Sequence, residues 1–314
     1  MSRLAIIEPM TLVGHELRQA LADHLDLFSE VDLYTSDPDT IGTVTEAGGR
    51  AAMVQQLETD SLGAIDLAIF CNSRVDVAAL ESLPSTATRV LIDPEEPVYG
   101  AIAIVAGVNS AMAVGERLLV SPNPAVILIA HLLHPLLQLG VKEVVAHVLQ
   151  PASDHGQRGL EELFEQTRAI VSMADERPDS VFGTQLAFNL VPWSRSTQQL
   201  NDQLAEVLDN SIPVQLLSTQ AGVFHSVSAG LLVRFDEDPG LDGVTDRLRQ
   251  SCRIEIAEEP DFLGPVTAAA AEKVLVGSVL PAARSSYWIW SAMDNLISGG
   301  ASNALAMMSA HLQG

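Results

Sequence analysis

The sequence predicts a two-domain α/β protein: a Rossmann-like, doubly wound parallel sheet, then an α+β domain with a mixed sheet. Two observations point there. Short apolar runs alternate with amphipathic runs through the first third of the chain. In the second half, strand-like runs are instead separated by long connections. The 314 residues suit one large domain or two ordinary ones, and a hydrophobic fraction of 47% is ample for buried cores.

The first strand is read in "RLAIIEP" (3–9), which ends in a turn. "GHELRQALADHL" (14–25) follows as a helix, with Leu17, Leu21 and Leu25 four apart. "EVDLYTSD" (30–37) reads as a strand that stops at a Ser/Asp/Pro turn. "IDLAIFCN" (65–72), "TRVLIDP" (88–94), "GAIAIVAGVN" (100–109) and "RLLVSPNP" (117–124) continue the strand pattern. The apolar run 125–133 is an interior helix, far short of the roughly 20 residues that span a bilayer.

"KEVVAHVLQP" (142–151) is the next strand, and "RGLEELFEQTRAIVSM" (158–173) an amphipathic helix with Leu160, Leu163 and Phe164 on one face. Strands then recur at 226–236, 272–280 and 285–295, and "GGASNALAMMSAHLQ" (299–313) closes the chain as a helix. The boundaries expected are 1–122, completed by 296–314, for the first domain, and 123–295 for the second.

Forty acids against seventeen bases give a formal charge of −23, which repels phosphate backbones and makes nucleic acid a poor partner. The N-terminus "MSRLAIIEP" has one Arg and an apolar run that ends at Glu8, unlike a signal peptide, so a cytoplasmic protein is expected, with no membrane partner. The only cysteines are Cys71 and Cys252, with no CxxC and no HExxH, so neither a disulfide framework nor a metal site is expected. His131 and His134, three apart on the apolar helix, read as packed or capped residues rather than metal ligands.

A dinucleotide fold needs glycines in the turn after its first strand, where the backbone approaches the pyrophosphate at a helix N-terminus. Here the turn reads "EPMTLVG" (8–14), and only Gly14 is glycine. Glu8 stands at the tight-turn position, Thr11 where the backbone must come closest, and Pro9 removes an N–H donor. The turn reads as Rossmann-like without a nucleotide.

Taken in order, the segments resemble the aspartate-semialdehyde dehydrogenase family, and within it the divergent Usg-like branch. "IIEPMTLVGHEL" is similar to "VVGATGxVGxEL"; "VLID" and "IVAGVN" match "VIDxS…PLVVPxVN". "FGTQLAFNLVPW" (182–193) resembles "AFNxxP", and "WSAMDNLISGGASNAL" (290–305) resembles "WxxxDNLxxGAAxNAV". The resemblance implies reduction of an acyl phosphate with a nicotinamide cofactor, through a cysteine thiolate, a proton-transfer histidine and two substrate arginines.

Carried over residue by residue, the machinery is thin. The family nucleophile lies eleven residues before the Pro of a "KPL" helix; with Pro135 as that proline, its position is Pro124. Proline has no nucleophile but suits helix position N1, with Asn123 as N-cap. Gln150 matches a substrate-contacting Gln, and Ser153 and Gly156 follow its "SxxG". A retained strand-end hydrogen bond is an equal reading of Gln150.

Two registers place the histidine. One gives His225, with Ser218 at the arginine position. The other, preferred because it keeps "VF" in step, gives Val227, with Gln220 at the arginine position. Glu95 and Glu96 follow the "DxS"-like turn where the other arginine is expected, and the 36–42 loop is acidic, which disfavours NADP. By family position, Gly14, Thr11 and Asn295 are the cofactor-side residues. Cys71 ends a strand near the cofactor loop and reads as a buried structural thiol.

The expectation is therefore a homodimer that keeps the family scaffold, has lost catalysis, binds no cofactor, and serves in binding or regulation of an unidentified protein or small-molecule partner. The alternatives are an active NAD(P)-dependent aspartate-semialdehyde dehydrogenase, or a small-ligand binding protein using the old cleft with Gln150 and His225 as polar anchors.

Overall fold

The computed structural model describes residues 2–174 and 176–313. The chain forms two compact units, Met1–Asn123 with Gly299–Gly314, and Pro124–Ser298. The chain leaves the first unit one residue later than the expected boundary and returns to it three residues later.

The first unit holds β1 (Ser2–Ile7), α1 (Leu12–Ala20), β2 (Phe28–Thr35), β3 (Val44–Ala47), β4 (Arg50–Gln56), β5 (Leu67–Phe70), α2 (Val77–Ser82), β6 (Thr88–Ile92), β7 (Ile102–Ala103) and β8 (Leu118–Ser121). Its sheet order is β3-β4-β2-β1-β5-β6-β8-β7. Every neighbouring pair is parallel except β3–β4, an antiparallel hairpin that hydrophobic periodicity did not reveal. Its two-residue turn is Gly48-Gly49, both at positive φ (57° and 77°), a backbone that favours glycine. Alternation along β1 feeds both faces: Leu4 and Ile6 pack with Leu17 of α1, and Ala5 and Ile7 with Ala79 of α2.

Two predicted elements are shorter than expected. The 14–25 helix starts earlier and ends at Ala20, because the Thr11 hydroxyl accepts the Gly14 N–H at 3.1 Å as N-cap; a 3-10 segment, Leu21–Leu27, leads into β2. Of 100–109, only Ile102–Ala103 pairs as strand. Beyond it the Asn109 side chain accepts from Val105 N at 2.8 Å and donates to Ala103 O at 2.9 Å, so the chain turns instead of extending.

The second unit holds α3 (Pro124–Leu136), β9 (Val141–Gln150), α4 (Gly156–Val171), β10 (Leu190–Pro192), α5 (Thr197–Val207), β11 (Val214–Ala221), β12 (Val227–Phe235), α6 (Gly240–Arg249), β13 (Ile254–Ile256), α7 (Pro265–Ala268), β14 (Val274–Ala282) and β15 (Ser286–Met293). The sheet order is β10-β11-β9-β12-β15-β14-β13, mixed as predicted, with β9–β11 and β13–β14 parallel and the other pairs antiparallel. The long connections of the sequence reading contain α5, β11 and α6.

One face of this sheet is core, and α3 packs on it between α5 and α6. Ala229, Leu231 and Val233 of β12 are fully buried, as are residues 125–130 of α3. The opposite face is open: Val145, Leu217, Leu280 and Trp288 are all exposed. Off the sheet, α4 holds the 178–187 segment with two buried side chains. Glu162 accepts from Ser180 Oγ and from the N–H groups of Val181 and Phe182. Gln166 donates to Pro178 O and Thr184 O and accepts from Leu186 N and Ala187 N.

The chain returns to the first unit through a π-helical turn, Ile297–Ala301, into α8 (Ser302–Gln313). Asn303 fixes this helix. Its amide oxygen accepts from Ala106 N at 2.8 Å, and its nitrogen donates to Ile104 O at 3.0 Å and Ser121 Oγ at 2.8 Å. No helix among the described residues is long and apolar enough to cross a membrane.

Candidate functional site

In the first unit, the turn after β1 keeps the close helix–strand approach of a dinucleotide loop. A Cβ on Gly14 would lie 2.7 Å from Pro9 O and 2.8 Å from Glu8 O, so only glycine fits. Glu8 takes the positive φ (58°) that its glycine-like position demands. Its carboxylate turns toward the end of β2 and accepts from Thr35 Oγ1 (2.8 Å), Ser36 N (2.8 Å) and Ser36 Oγ (2.6 Å).

Besides capping α1, Thr11 donates to Cys71 O at 2.8 Å, which ties the helix start to the end of β5. Buried Arg18 donates to Pro9 O at 3.0 Å and to Thr45 Oγ1 and Glu46 O of β3. Burial, with the Glu8 carboxylate adding to it, pushes the Cys71 thiol far above its usual range, so this cysteine is a neutral core group, as its sequence context predicted.

Elsewhere in this unit, Glu95, at the place where the resemblance leads one to look for a cation, is itself paired with exposed Arg74 at 2.9 Å. Asn123 is buried and its amide donates to Asp93 at 3.0 Å.

In the second unit, Pro124 is the first residue of α3 and is buried. At N1 the missing proline N–H costs the helix nothing. The register places Gln220 of β11 opposite Gln150 of β9. Ser228 of β12 lies opposite Leu149, so Val227 falls beside Gln150, and Val227 pairs with Met293 of β15. Gln220, Gln150 and Val227 therefore form one row across the sheet, all at most 2% exposed. His225 lies outside this row, half-buried in the connection between β11 and β12.

The Gln220 nitrogen donates to Gln150 O at 3.0 Å and Pro151 O at 2.8 Å, and its oxygen meets His155 Nε2 at 3.2 Å. Asn295, buried, accepts from Ser226 N at 2.9 Å and exchanges hydrogen bonds with Ser153 Oγ at 3.0–3.2 Å. That contact holds Ser226 at a positive φ of 73°. Asn295 thus serves the second unit's own loops, whereas Gly14 and Thr11 belong to the first.

Sequence reasoning did not identify the ends of these contacts. Nothing local marks His155 as the partner of Gln220. Likewise, Trp193 Nε1 donates to Asp154 at 2.9 Å while Arg195 lies 5.4 Å over the Trp193 ring and 3.6 Å from Asp154. The chain motif that could have drawn attention to them is "DH" directly after the "QPAS" strand end.

Comparisons with known proteins agree with this architecture. A family model described as "Semialdehyde dehydrogenase, dimerisation domain" matches residues 133–298. The chain is 23% identical to the aspartate-semialdehyde dehydrogenase of Rickettsia conorii, over 96% of this chain and 95% of that protein. It is 22% identical to that of Bacillus subtilis, over 96% and 95%. Among solved structures it superposes on a probable aspartate-semialdehyde dehydrogenase from Pseudomonas aeruginosa with a TM-score of 0.89, at 22% identity, over 98% of this chain and 97% of that one. Aspartate semialdehyde dehydrogenase II of Vibrio cholerae, complexed with ASA, gives a TM-score of 0.87 at 20% identity, over 100% and 98%. With the second unit matched almost throughout by the family model, the chain belongs to the semialdehyde dehydrogenase family.

Proposed function

We propose that the protein is a Usg-like, homodimeric member of the family that has lost dehydrogenase activity and keeps its fold for a binding or regulatory role. The observation that carries this reading is Pro124. The family resemblance puts the thiol nucleophile at this position, and here it is a buried N1 proline that starts α3. No acyl-enzyme bond can form there.

Three further placements support it. The row Gln220–Gln150–Val227 favours the register in which Val227 holds the histidine position, and a fully buried valine moves no proton. Gln220 replaces a cation and spends its donors on backbone carbonyls. Glu95 stands where the resemblance places a substrate cation, and its carboxylate is itself paired with Arg74 at 2.9 Å. With Asp37 and Asp39 beyond β2, we infer that the protein uses no NADP.

The open sheet face carries the homodimer in this reading. Val145, Leu232 and Trp288 lie opposite one another on adjacent strands, and a self-complementary apolar patch is the commonest way for identical chains to associate. A cytoplasmic setting goes with the resemblance to metabolic dehydrogenases.

The test is turnover. The protein is mixed with aspartate semialdehyde, phosphate and NAD or NADP, and absorbance of the reduced cofactor is followed. A rate equal to the protein-free blank is expected; turnover with either cofactor would restore the active-dehydrogenase reading. Light scattering at micromolar concentration is expected to give twice the 33.5 kDa chain mass, and a monomeric mass refutes the dimer.

A further inference from the structure

We propose that Glu8 is a built-in occupant of the dinucleotide loop: its carboxylate takes the donors at the end of β2 and so closes the loop to nucleotides. This rests on the reading that the protein binds no cofactor, and names the side chain responsible.

Three features of the first unit converge on it. The loop is otherwise built for close approach, since Gly14 cannot carry a Cβ without meeting Pro9 O and Glu8 O. Glu8 is held at φ 58°, a backbone that glycine adopts freely and glutamate does not. Its backbone N–H donates to Tyr34 O at 2.8 Å, and its side chain accepts three hydrogen bonds of 2.6–2.8 Å from Thr35 Oγ1, Ser36 N and Ser36 Oγ.

In parallel α/β sheets, ligands bind outside the carboxyl ends of the strands, and the groups at the end of the second strand face the adenosine ribose. Here an internal anion fills that donor set and puts negative charge beside the path of a diphosphate. The neighbouring contacts keep the loop in place without the glutamate side chain. Thr11 binds Cys71 O, and Arg18 binds Pro9 O.

Glycine at position 8 keeps the backbone conformation and removes the plug. Asparagine also tolerates positive φ, carries no charge and is one carbon shorter, so it does not reach the donors as glutamate does. Because Asp37 and Asp39 remain, the opened loop is expected to prefer NAD to NADP.

The experiment is calorimetric titration of the unmutated protein, Glu8→Gly and Glu8→Asn with NAD and with NADP, after thermal melts show which variants are folded. Expected are no saturation of the unmutated protein up to about 1 mM, and NAD affinity raised at least tenfold in each folded variant. Folded variants as silent as the unmutated protein overturn the plug and leave the no-cofactor reading standing. Micromolar binding by the unmutated protein overturns both.

Discussion

His131 offers the sharpest quantitative test of the second unit. It sits on α3, only 9% exposed. Burial, with Arg253 and His134 adding repulsion, pushes its imidazole from 6.5 down to about 3. The folded state therefore keeps His131 neutral, while the unfolded chain takes a proton below 6.5. The stability it contributes is fully present above the unfolded pKa, and is lost as pH falls through the window from 6.5 toward 3. At pH 5 the loss is about 2 kcal/mol relative to pH 8, from the 1.5 units by which that pH lies below the unfolded value. The assay is urea unfolding at pH 5 and pH 8, at one fixed protein concentration because association shifts stability. All three tryptophans, Trp193, Trp288 and Trp290, lie in this unit, so their fluorescence reports on it. Other groups titrate too, so the comparison is with His131→Leu, which fits the apolar surroundings and has no proton to gain. The variant should lose about 2 kcal/mol less than the unmutated protein between the two pH values. Equal losses would mean that His131 is accessible to protons in the folded state, and that α3 is not packed as described.

Gly14→Ala should destabilise the first unit by about 1–3 kcal/mol, because its Cβ meets backbone rather than a yielding side chain; an unchanged melt would refute the close approach. Asn295→Ala leaves Ser226 N–H and Ser153 Oγ without their partner, and should cost about 1–3 kcal/mol by denaturant unfolding; a neutral effect would show that the network is not needed. Pro124→Cys should not restore dehydrogenase turnover with aspartate semialdehyde, phosphate and NAD or NADP. A thiol alone, with a pKa of about 8.5, is little ionised at neutral pH, and the other groups remain absent. Clear turnover would reduce the whole degeneracy argument to one substitution.

The architecture was legible because it depends on short-range pattern. Leu4–Ile7 reads as a buried parallel strand, and the 158–173 pattern reads as a helix, although Phe164, expected on its apolar face with Leu160 and Leu163, is exposed. The β3–β4 hairpin was not legible, since Val44 on the edge strand and Met53 beside it are exposed and carry no alternating apolar signal. In the site, the sequence shows which residue types are missing, but not what their replacements touch. Glu8 is plainly not glycine, yet its partner Ser36 lies 28 residues away and no local pattern points to it. Gln220 and Pro151 are 69 residues apart.

Those distant partners bear on how the site came to be what it is. A buried polar side chain left without a partner costs about 1–3 kcal/mol, so careless replacement of several charged groups would accumulate a large penalty. In the proposed reading the replacements are absorbed. Pro124 starts a helix where its lost N–H is not needed. Gln220 satisfies two carbonyls, and Glu8 satisfies three donors. Val227 fills the core end of β12. In that reading, Pro124, Gln220 and Val227 each stand where the family has a reactive or charged group, and the strand or helix that carries each is intact. The chemistry can be lost in this way while both sheets remain stable, and with them the open face of Val145, Leu217 and Trp288. That face is the one that carries the proposed homodimer.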